Sequence, residues 1–390
     1  MKILFVAPWI PTGIRPRSHT ILDLLTEAHE VRFLGLVHDD AEAELARELP
    51  VADPVVVDNP RWGRLARSAR SLLTGRSLQT GYADPRGLRA TLRAEVARWR
   101  PDAVHLNVFR TAHLVEACGD TPVLIDLDEF RSDYYAQLAA TGSNPLWRTL
   151  GRVEHRRMKA CEDDLVARRV PIIVSAPADD RPGTYVVRSP CDFPRRPGPP
   201  GGPPQVLFVG RLSYEANVAG LRWFLDECWP GIRAAMPGVR LTVVGSEPPA
   251  EIAARTGGDV TLHADVPDVE PFYAGATVAI APIFRGTGVQ LKLIQALAAG
   301  VPTVTTPTVA DRAAVRDREH TLVARTPAEW VAAVAELIGD PALAGRLADA
   351  GREWAVAHHG RAAVRRQLAV AYSTLSAPGF PAAPPSHTLT

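Results

Sequence analysis

The chain has 390 residues, room for two or three domains at ~150 residues each. Hydrophobic residues make up 46% and charged residues 22%, ordinary globular shares that exclude a disordered or fibrous chain. The 44 Lys and Arg balance 43 Asp and Glu to a net charge of +1, without the positive excess that neutralises a nucleic-acid backbone, so no nucleic-acid partner is expected.

The chain opens on a short apolar run, Ile3–Ala7, ended by Pro8. It is too short for a signal-peptide core, and no later run reaches the ~18 apolar residues of a spanning helix. No transmembrane segment and a cytoplasmic location are therefore expected, while a helix resting on a membrane surface stays compatible with the sequence. From this run onward, short β-branched stretches alternate with amphipathic ones, the rhythm of parallel strands joined by helices. Strands are predicted at Ile3–Ala7, Val31–Val37, Val55–Val57, Ala103–Leu106, Val123–Leu127 and Ile172–Ser175, with helices clearest over Arg86–Arg100 and Leu146–Arg168. The stretch Arg188–Pro204 is too rich in Pro and Gly to continue either element and reads as a linker.

Beyond it the rhythm restarts, with strands predicted at Gln205–Val209, Arg240–Val244, Val260–His263, Val278–Ala281, Thr303–Thr305 and Thr321–Ala324. The expected fold class is α/β, two doubly wound parallel-sheet domains, residues 1–187 and 205–358, facing a cleft that receives the carboxyl ends of the strands. A last helix within 359–376 is expected to pack back on the first domain, and the Pro- and Ala-rich tail 377–390 is expected to be disordered. Cys118, Cys161, Cys191 and Cys228 form no C-x-x-C pair, so neither a zinc site nor a disulfide framework is signalled and no metal is expected.

Four places carry candidate chemistry. The loop Trp9–Ser18 runs from the first strand into a helix expected near His19, an anion site at a helix N-terminus or an ordinary βα turn. Arg211 follows Gly210 just past the first strand of the second domain, where a guanidinium fork suits a diphosphate, the alternative being a solvated surface arginine. The segment Pro282–Thr303 reads as strand end, glycine turn, helix from near Gly288 and Gly-Val-Pro exit. Lys292, one of three lysines in a chain whose other cations are arginines, would lie one turn in with Gln295 on nearly the same face. Dipole, amides and ammonium together make a phosphate receptor; a solvated helix-face charge is the alternative. Asp126, Asp128 and Glu129 end a strand, where they could divide acid and base roles, bind an ion, or cap a helix starting near Phe130. His358 and His359 lack partners at ligand spacing and read as surface residues, and Tyr134, Tyr135 and Trp147 as core aromatics or a stacking platform.

The run Gly286-Thr287-Gly288-Val289-Gln290-Leu291-Lys292, continued to Gly300-Val301-Pro302, resembles the nucleotide-sugar segment G-x-G-x-x-x-K-x-x-E-A-x-A-x-G-x-P of retaining glycosyltransferases of the GT-B fold, family four in particular. VGRLSYEANVAGLRWFL and ADVPDVEPFYAGATVAIAPI are similar to that family's donor-domain opening and base-binding segments, with a looser match over PDAVHLN, LIDLDEF and VRSPCDF. The resemblance implies transfer of a sugar from a nucleoside-diphosphate sugar, with retention and without metal or other cofactor, to an acceptor on the first domain. It implies that Arg211 and Lys292 bind the diphosphate, that Gly210, Gly286, Thr287, Gly288 and Val289 line its pocket, and that Gly13 approaches the phosphate or sugar. Val266 would lie beside the base, and His105 or Asn107, on the loop after the fourth strand, near the transferring sugar.

Two departures stand out. Relatives often carry two glutamates where this chain has Thr287 and Gln295, and a glutamine oxygen accepts one ribose hydrogen bond without charge. A Gly-Gly pair in the first loop is reduced to Gly13. A binding protein of the same fold without turnover, and a nucleotide-sugar epimerase, remain as alternatives, whereas a nicotinamide oxidoreductase is disfavoured by the missing G-x-G-x-x-G.

Overall fold

The computed structural model describes the chain except residues 14, 142–144, 199 and 377–390; the expected tail lies outside the described residues. Two compact units emerge, one formed by residues 1–175, 179–190 and the chain from Arg365, the other by 176–178 and 191–364.

Most predicted apolar runs form strands with side chains buried on both faces, the signature of a parallel sheet covered by helices, while those at Val55–Asp58 and Val260–Ala264, at the sheet edges, are partly exposed. In the first unit β1 (Lys2–Ala7), β2 (Glu30–Val37), β3 (Val55–Asp58), β4 (Ala103–Asn107), β5 (Val123–Asp128), β6 (Ile172–Val174) and β7 (Thr184–Val186) form one sheet in the order β3-β2-β1-β4-β5-β6-β7, parallel throughout. Phe5, Phe33 and Phe130 are fully buried around it. The sequence reading misses β7, a three-residue edge strand with only Thr184 buried, too short to show a hydrophobic period.

The second unit repeats the plan with β8 (Gln205–Val209), β9 (Arg240–Gly245), β10 (Val260–Ala264), β11 (Val278–Ala281), β12 (Thr303–Thr305) and β13 (Leu322–Val323), ordered β10-β9-β8-β11-β12-β13. Phe208, Phe224, Tyr273 and Trp330 fill its core. In each sheet the first strand lies between a strand that follows it directly and one reached by a longer excursion, β1 between β2 and β4, β8 between β9 and β11. Those are the topological switch points, where loops at the carboxyl ends diverge and leave room for a ligand.

The proline-rich stretch 188–204 carries no helix or strand among its described residues. The helix Arg361–Ser373 contributes residues from Arg365 on to the first unit, where Tyr372 is buried and Arg365 pairs with Glu27. Two expectations are corrected. His359 is fully buried, its carbonyl accepting the Cys191 amide at 2.8 Å, because it ends a helix whose Trp354 and Ala355 are core. The helix expected from near Gly288 begins at Leu291, because the Gly-Thr-Gly turn keeps 286–290 extended or bent up to the N-cap Gln290. The cysteines are free thiols, Cys118, Cys191 and Cys228 buried and Cys161 half-buried.

Candidate functional site

In the second unit, β8 and β9 stay paired past the end of β8, the Gly210 amide donating to Val244 O at 2.9 Å and that of Leu212 to Ser246 O at 2.8 Å. This carries Arg211 out at the carboxyl end, where it is exposed, and among the described residues its guanidinium meets no protein partner. Glycine is required nearby: a Cβ on Gly245 would fall 2.1 Å from Gly210 O.

The Arg211 carbonyl accepts a 2.7 Å hydrogen bond from Asn217 Nδ2, on the helix Glu215–Trp223. The other end of the same buried amide, Oδ1, accepts from Lys292 Nζ at 2.7 Å. Asn217 thus joins the backbone of one phosphate-binding candidate to the ammonium of the other. A Cβ on Gly210 would stand 3.1 Å from Lys292 Cε and 3.0 Å from Asn217 Nδ2, so the three residues form one close cluster. The helix bearing Asn217 comes so near the strand exit that a Cβ on Gly220 would lie 2.0 Å from Pro282 O.

Lys292 is the second residue of the helix Leu291–Ala299, whose N-cap Gln290 makes no side-chain cap. The first amides of that helix thus lack an internal acceptor. The ammonium also donates to Gln290 Oε1 at 3.3 Å and sits 5.4 Å from the Phe208 ring centroid. All of these partners are uncharged. Burial accordingly lowers the ammonium from its ordinary 10.5 to about 7. Gly286 holds φ +148, accessible at low cost only to glycine, and with Thr287 it is buried beneath the turn leading into this helix. Gly288 and Val289 are half-buried, Val289 packing on the core.

Gln295 is placed differently from the free acceptor the sequence suggests. Its Oε1 receives the Tyr273 hydroxyl at 3.2 Å, and the same hydroxyl lies 3.2 Å from Lys292 O. One lone pair and the amide N–H groups of Gln295 remain for a ligand. Val266, just after β10, packs against the small cluster of Leu207, Val209, Val244 and Tyr273 at the same end of the sheet. Structure thus assembles Gly210, Arg211, Gly286, Thr287, Lys292 and Gln295 from the two connections that follow β8 and β11 at one switch point, with Asn217 the member that sequence reading missed. Its signal, an amide seven residues past Gly210, has no meaning until the helix turns it back.

In the first unit, Gly13 lies in an exposed turn, with open space where a Cβ would be. The helix that follows starts at Pro16, earlier than expected, because proline favours the first helical position. His105 requires correction. It lies inside β4, not on the loop beyond it, and is fully buried. It stacks on Phe5 at 4.7 Å, shares a 2.8 Å hydrogen bond with Tyr372, and is lowered to about 3 by burial and then by the Arg17 charge. It sits in the middle of the strand, within the core, whereas Asn107, on the same face two residues further on, stands at the carboxyl end of β4. Asn107 is itself buried, with Oδ1 accepting from Ser18 at 2.8 Å and Nδ2 without a partner.

Asp126 and Asp128, at the end of β5, are not a free pair of acids. Buried Arg17 donates to Asp126 at 2.9 and 3.2 Å and lies 3.3 Å from Asp128, and it also donates to Val187 O at 2.8 Å. Glu129 pairs with Arg131. The helix Arg131–Thr141 is capped from a distance by Glu162, which accepts from the Ser132 amide and hydroxyl and is pushed up to about 7 by its burial. Tyr135 is core, whereas Trp147 is 47% exposed. No cluster of three or more His, Cys, Asp or Glu among the described residues is placed to hold a metal.

Residues 203–340 match the family described as Glycosyl transferases group 1. The second unit thus carries a similarity to the group 1 glycosyltransferases. Over 376 residues, 88% of this chain and 80% of the relative, the chain is 27% identical to a glycogen synthase of Mycobacterium tuberculosis. Over 223 residues, 55% of this chain, it is 29% identical to a phosphatidyl-myo-inositol mannosyltransferase of Mycobacterium leprae, of whose length it spans 59%. Its fold is GT-B. Sucrose-phosphate synthase of Thermosynechococcus elongatus superposes with a TM-score of 0.67 at 15% identity, covering 96% of this chain and 99% of that one. HepE of Anabaena, solved in complex with UDP, gives 0.66 at 15% identity over 96% and 100%. Among the described residues no helix is long and apolar enough to cross a membrane.

Proposed function

We propose that this glycosyltransferase takes a nucleoside-diphosphate sugar on its second unit and transfers the sugar, with retention of anomeric configuration, to an acceptor held by the first. The observation that carries the reading is Lys292, a half-buried ammonium with only neutral partners, next to exposed Arg211 and at an uncapped helix start. An anion with several oxygens satisfies all three donors, and a diphosphate has the charge and the reach. Among similar folds, HepE has been solved with UDP and with UDP-glucose, which supports a uridine nucleotide as the first donor to try.

In transfer, the bond between anomeric carbon and diphosphate oxygen breaks and negative charge gathers on the leaving group. Arg211, Lys292 and the first amides of the helix Leu291–Ala299 would meet that charge in place, the preorganised stabilisation that lowers barriers most. These fixed cations supply what a metal would otherwise supply, so the reaction is proposed to need neither metal nor other cofactor. The acceptor hydroxyl attacks from the face the diphosphate leaves, and its proton passes to the departing phosphate oxygen, so no protein nucleophile is needed. A cytoplasmic location fits the supply of nucleotide sugars and the free thiols.

The second reading is a nucleotide-sugar binding protein without turnover. It is favoured by Thr287 and by Gln295, whose oxygen is already engaged by Tyr273. Calorimetry with uridine, adenosine and guanosine diphosphates, followed by a donor-hydrolysis assay, separates the two. Binding with turnover supports transfer, binding without turnover on any donor supports the second reading, and no binding removes both.

A further inference from the structure

The helix Arg61–Thr74 wears its amphipathicity inside out. At ~100° per residue, Trp62, Leu65, Ala66, Ala69, Leu72 and Leu73 fall along one stripe. That stripe faces solvent: Trp62 is 78% exposed, Leu65 49%, Leu72 48% and Leu73 88%. The opposite side, polar in sequence, is the one turned to the protein. Ser68 donates to Leu78 O at 3.3 Å, buried Ser71 donates to Arg67 O at 3.1 Å, Arg67 binds Asn59, and Arg64 lies over the Tyr82 ring. Surface helices of soluble domains do the reverse, and an exposed apolar surface with a polar margin marks an interaction site.

The margin identifies the partner. Arg61 and Arg70 lie on the two edges of the stripe and Arg76 follows just past the left-handed Gly75; all three are exposed, Arg76 at the same time pairing with Asp84 at 3.0 Å. From Asn59 through Ala83 the chain has five arginines and no Asp or Glu. A second copy docking through the same stripe would bring arginine against arginine. An anionic bilayer presents phosphates at its surface and acyl chains beneath, matching cationic edges and an apolar centre. The helix is also long enough, ~21 Å at 1.5 Å per residue, to lie in such an interface but not to cross it.

We propose that the helix Arg61–Thr74 is a membrane-surface anchor, laying Trp62, Leu65, Leu72 and Leu73 into the headgroup–acyl boundary of an anionic bilayer while Arg61, Arg70 and Arg76 engage lipid phosphates. The anchor is distinct from the diphosphate cluster, so donor binding and membrane binding can fail separately.

Co-sedimentation of the full chain with vesicles tests it. Vesicles of phosphatidylcholine with about one-third phosphatidylglycerol should pellet the protein, pure phosphatidylcholine about tenfold less, and raising salt from about 0.1 M to about 0.5 M should release it. Trp62→Ser with Leu73→Ser should weaken partitioning by about tenfold or more. Arg61→Gln, Arg70→Gln and Arg76→Gln together should abolish the preference for anionic vesicles. Trp62, Leu73, Arg61 and Arg70 are exposed, and Asp84, which loses Arg76, keeps Arg89 and His113, so thermal midpoints should hold. The proposal is overturned if neither vesicle pellets the protein, if the serine variant binds as well as the parent, or if that variant loses thermal stability. It is equally overturned if light scattering shows a dimer that Trp62→Ser disperses without any vesicle binding.

Discussion

Lys292 Nζ lies 2.7 Å from Asn217 Oδ1, a full charge set against a neutral oxygen. Such a pairing leaves the ammonium's electrostatic demand unmet until an anion arrives. Lys292→Ala should therefore lower kcat/KM for the nucleotide sugar by about a hundredfold or more, the scale of losing one preorganised donor to a developing charge. Arg211→Ala, whose guanidinium is solvated before binding, should cost less. The thermal midpoint should stay near the parent value in both. Steady-state kinetics with changes within about twofold for both variants would remove the diphosphate receptor.

A pH dependence follows from the same lysine. Burial holds its ammonium at about 7 in the free protein, and a bound diphosphate raises it by supplying the opposite charge. Binding therefore takes up a proton once pH exceeds about 7, so affinity is greatest below that pH and declines as pH rises toward the bound-state value. Calorimetry with a nucleoside-diphosphate sugar, whose diester phosphates do not titrate in this range, should give a weaker Kd at about pH 8.5 than at about pH 6. Lys292→Met should flatten the difference; a flat profile in the parent would contradict it.

Gly210→Ala is a steric test. The added methyl carbon would stand 3.1 Å from Lys292 Cε and 3.0 Å from Asn217 Nδ2, tight enough to displace two flexible side chains without straining the backbone. Nucleotide affinity should drop by about tenfold, with a stability loss within the usual ~1 kcal/mol of a single substitution. Unchanged affinity would separate Gly210 from the binding cluster.

His105 should stay neutral well into acid. Its folded value is depressed from 6.5 to about 3 by burial and by Arg17. The neutral form's contribution to stability is full above about pH 6.5 and is lost as pH falls from there toward about 3, because only the unfolded chain takes the proton. Side-chain NMR should show no protonation of this ring between about pH 8 and about pH 5; titration near 6 would place the ring in solvent.

The periodic signal carried the architecture far. Twelve predicted runs lie on strands, since buried parallel strands are continuous β-branched segments, and only the three-residue β7 was too short to register. Helix starts were read less well: Gly286-Thr287-Gly288 looks like an immediate N-terminus, but the turn delays the helix to Leu291. The phosphate candidates Arg211 and Lys292 were legible because glycine turns and a rare lysine mark them. Asn217, and the capture of Asp126 and Asp128 by Arg17, were not, because each depends on residues 75 or about 109 positions apart meeting in space. His105 was placed on the loop by the resemblance although it falls inside the predicted strand Ala103–Leu106, and the middle of that strand is core.

The close approach of Gly220 to Pro282 O has a bearing on how such enzymes diversify. Two main-chain segments in direct contact fix the separation between the amide at 217 and the lysine at 292 without relying on any adjustable side chain. Loops that choose the base or the sugar can then be exchanged by insertion or drift while the anion anchor keeps its dimensions. Recombining specificity loops from relatives onto this scaffold should preserve diphosphate affinity so long as that glycine is retained.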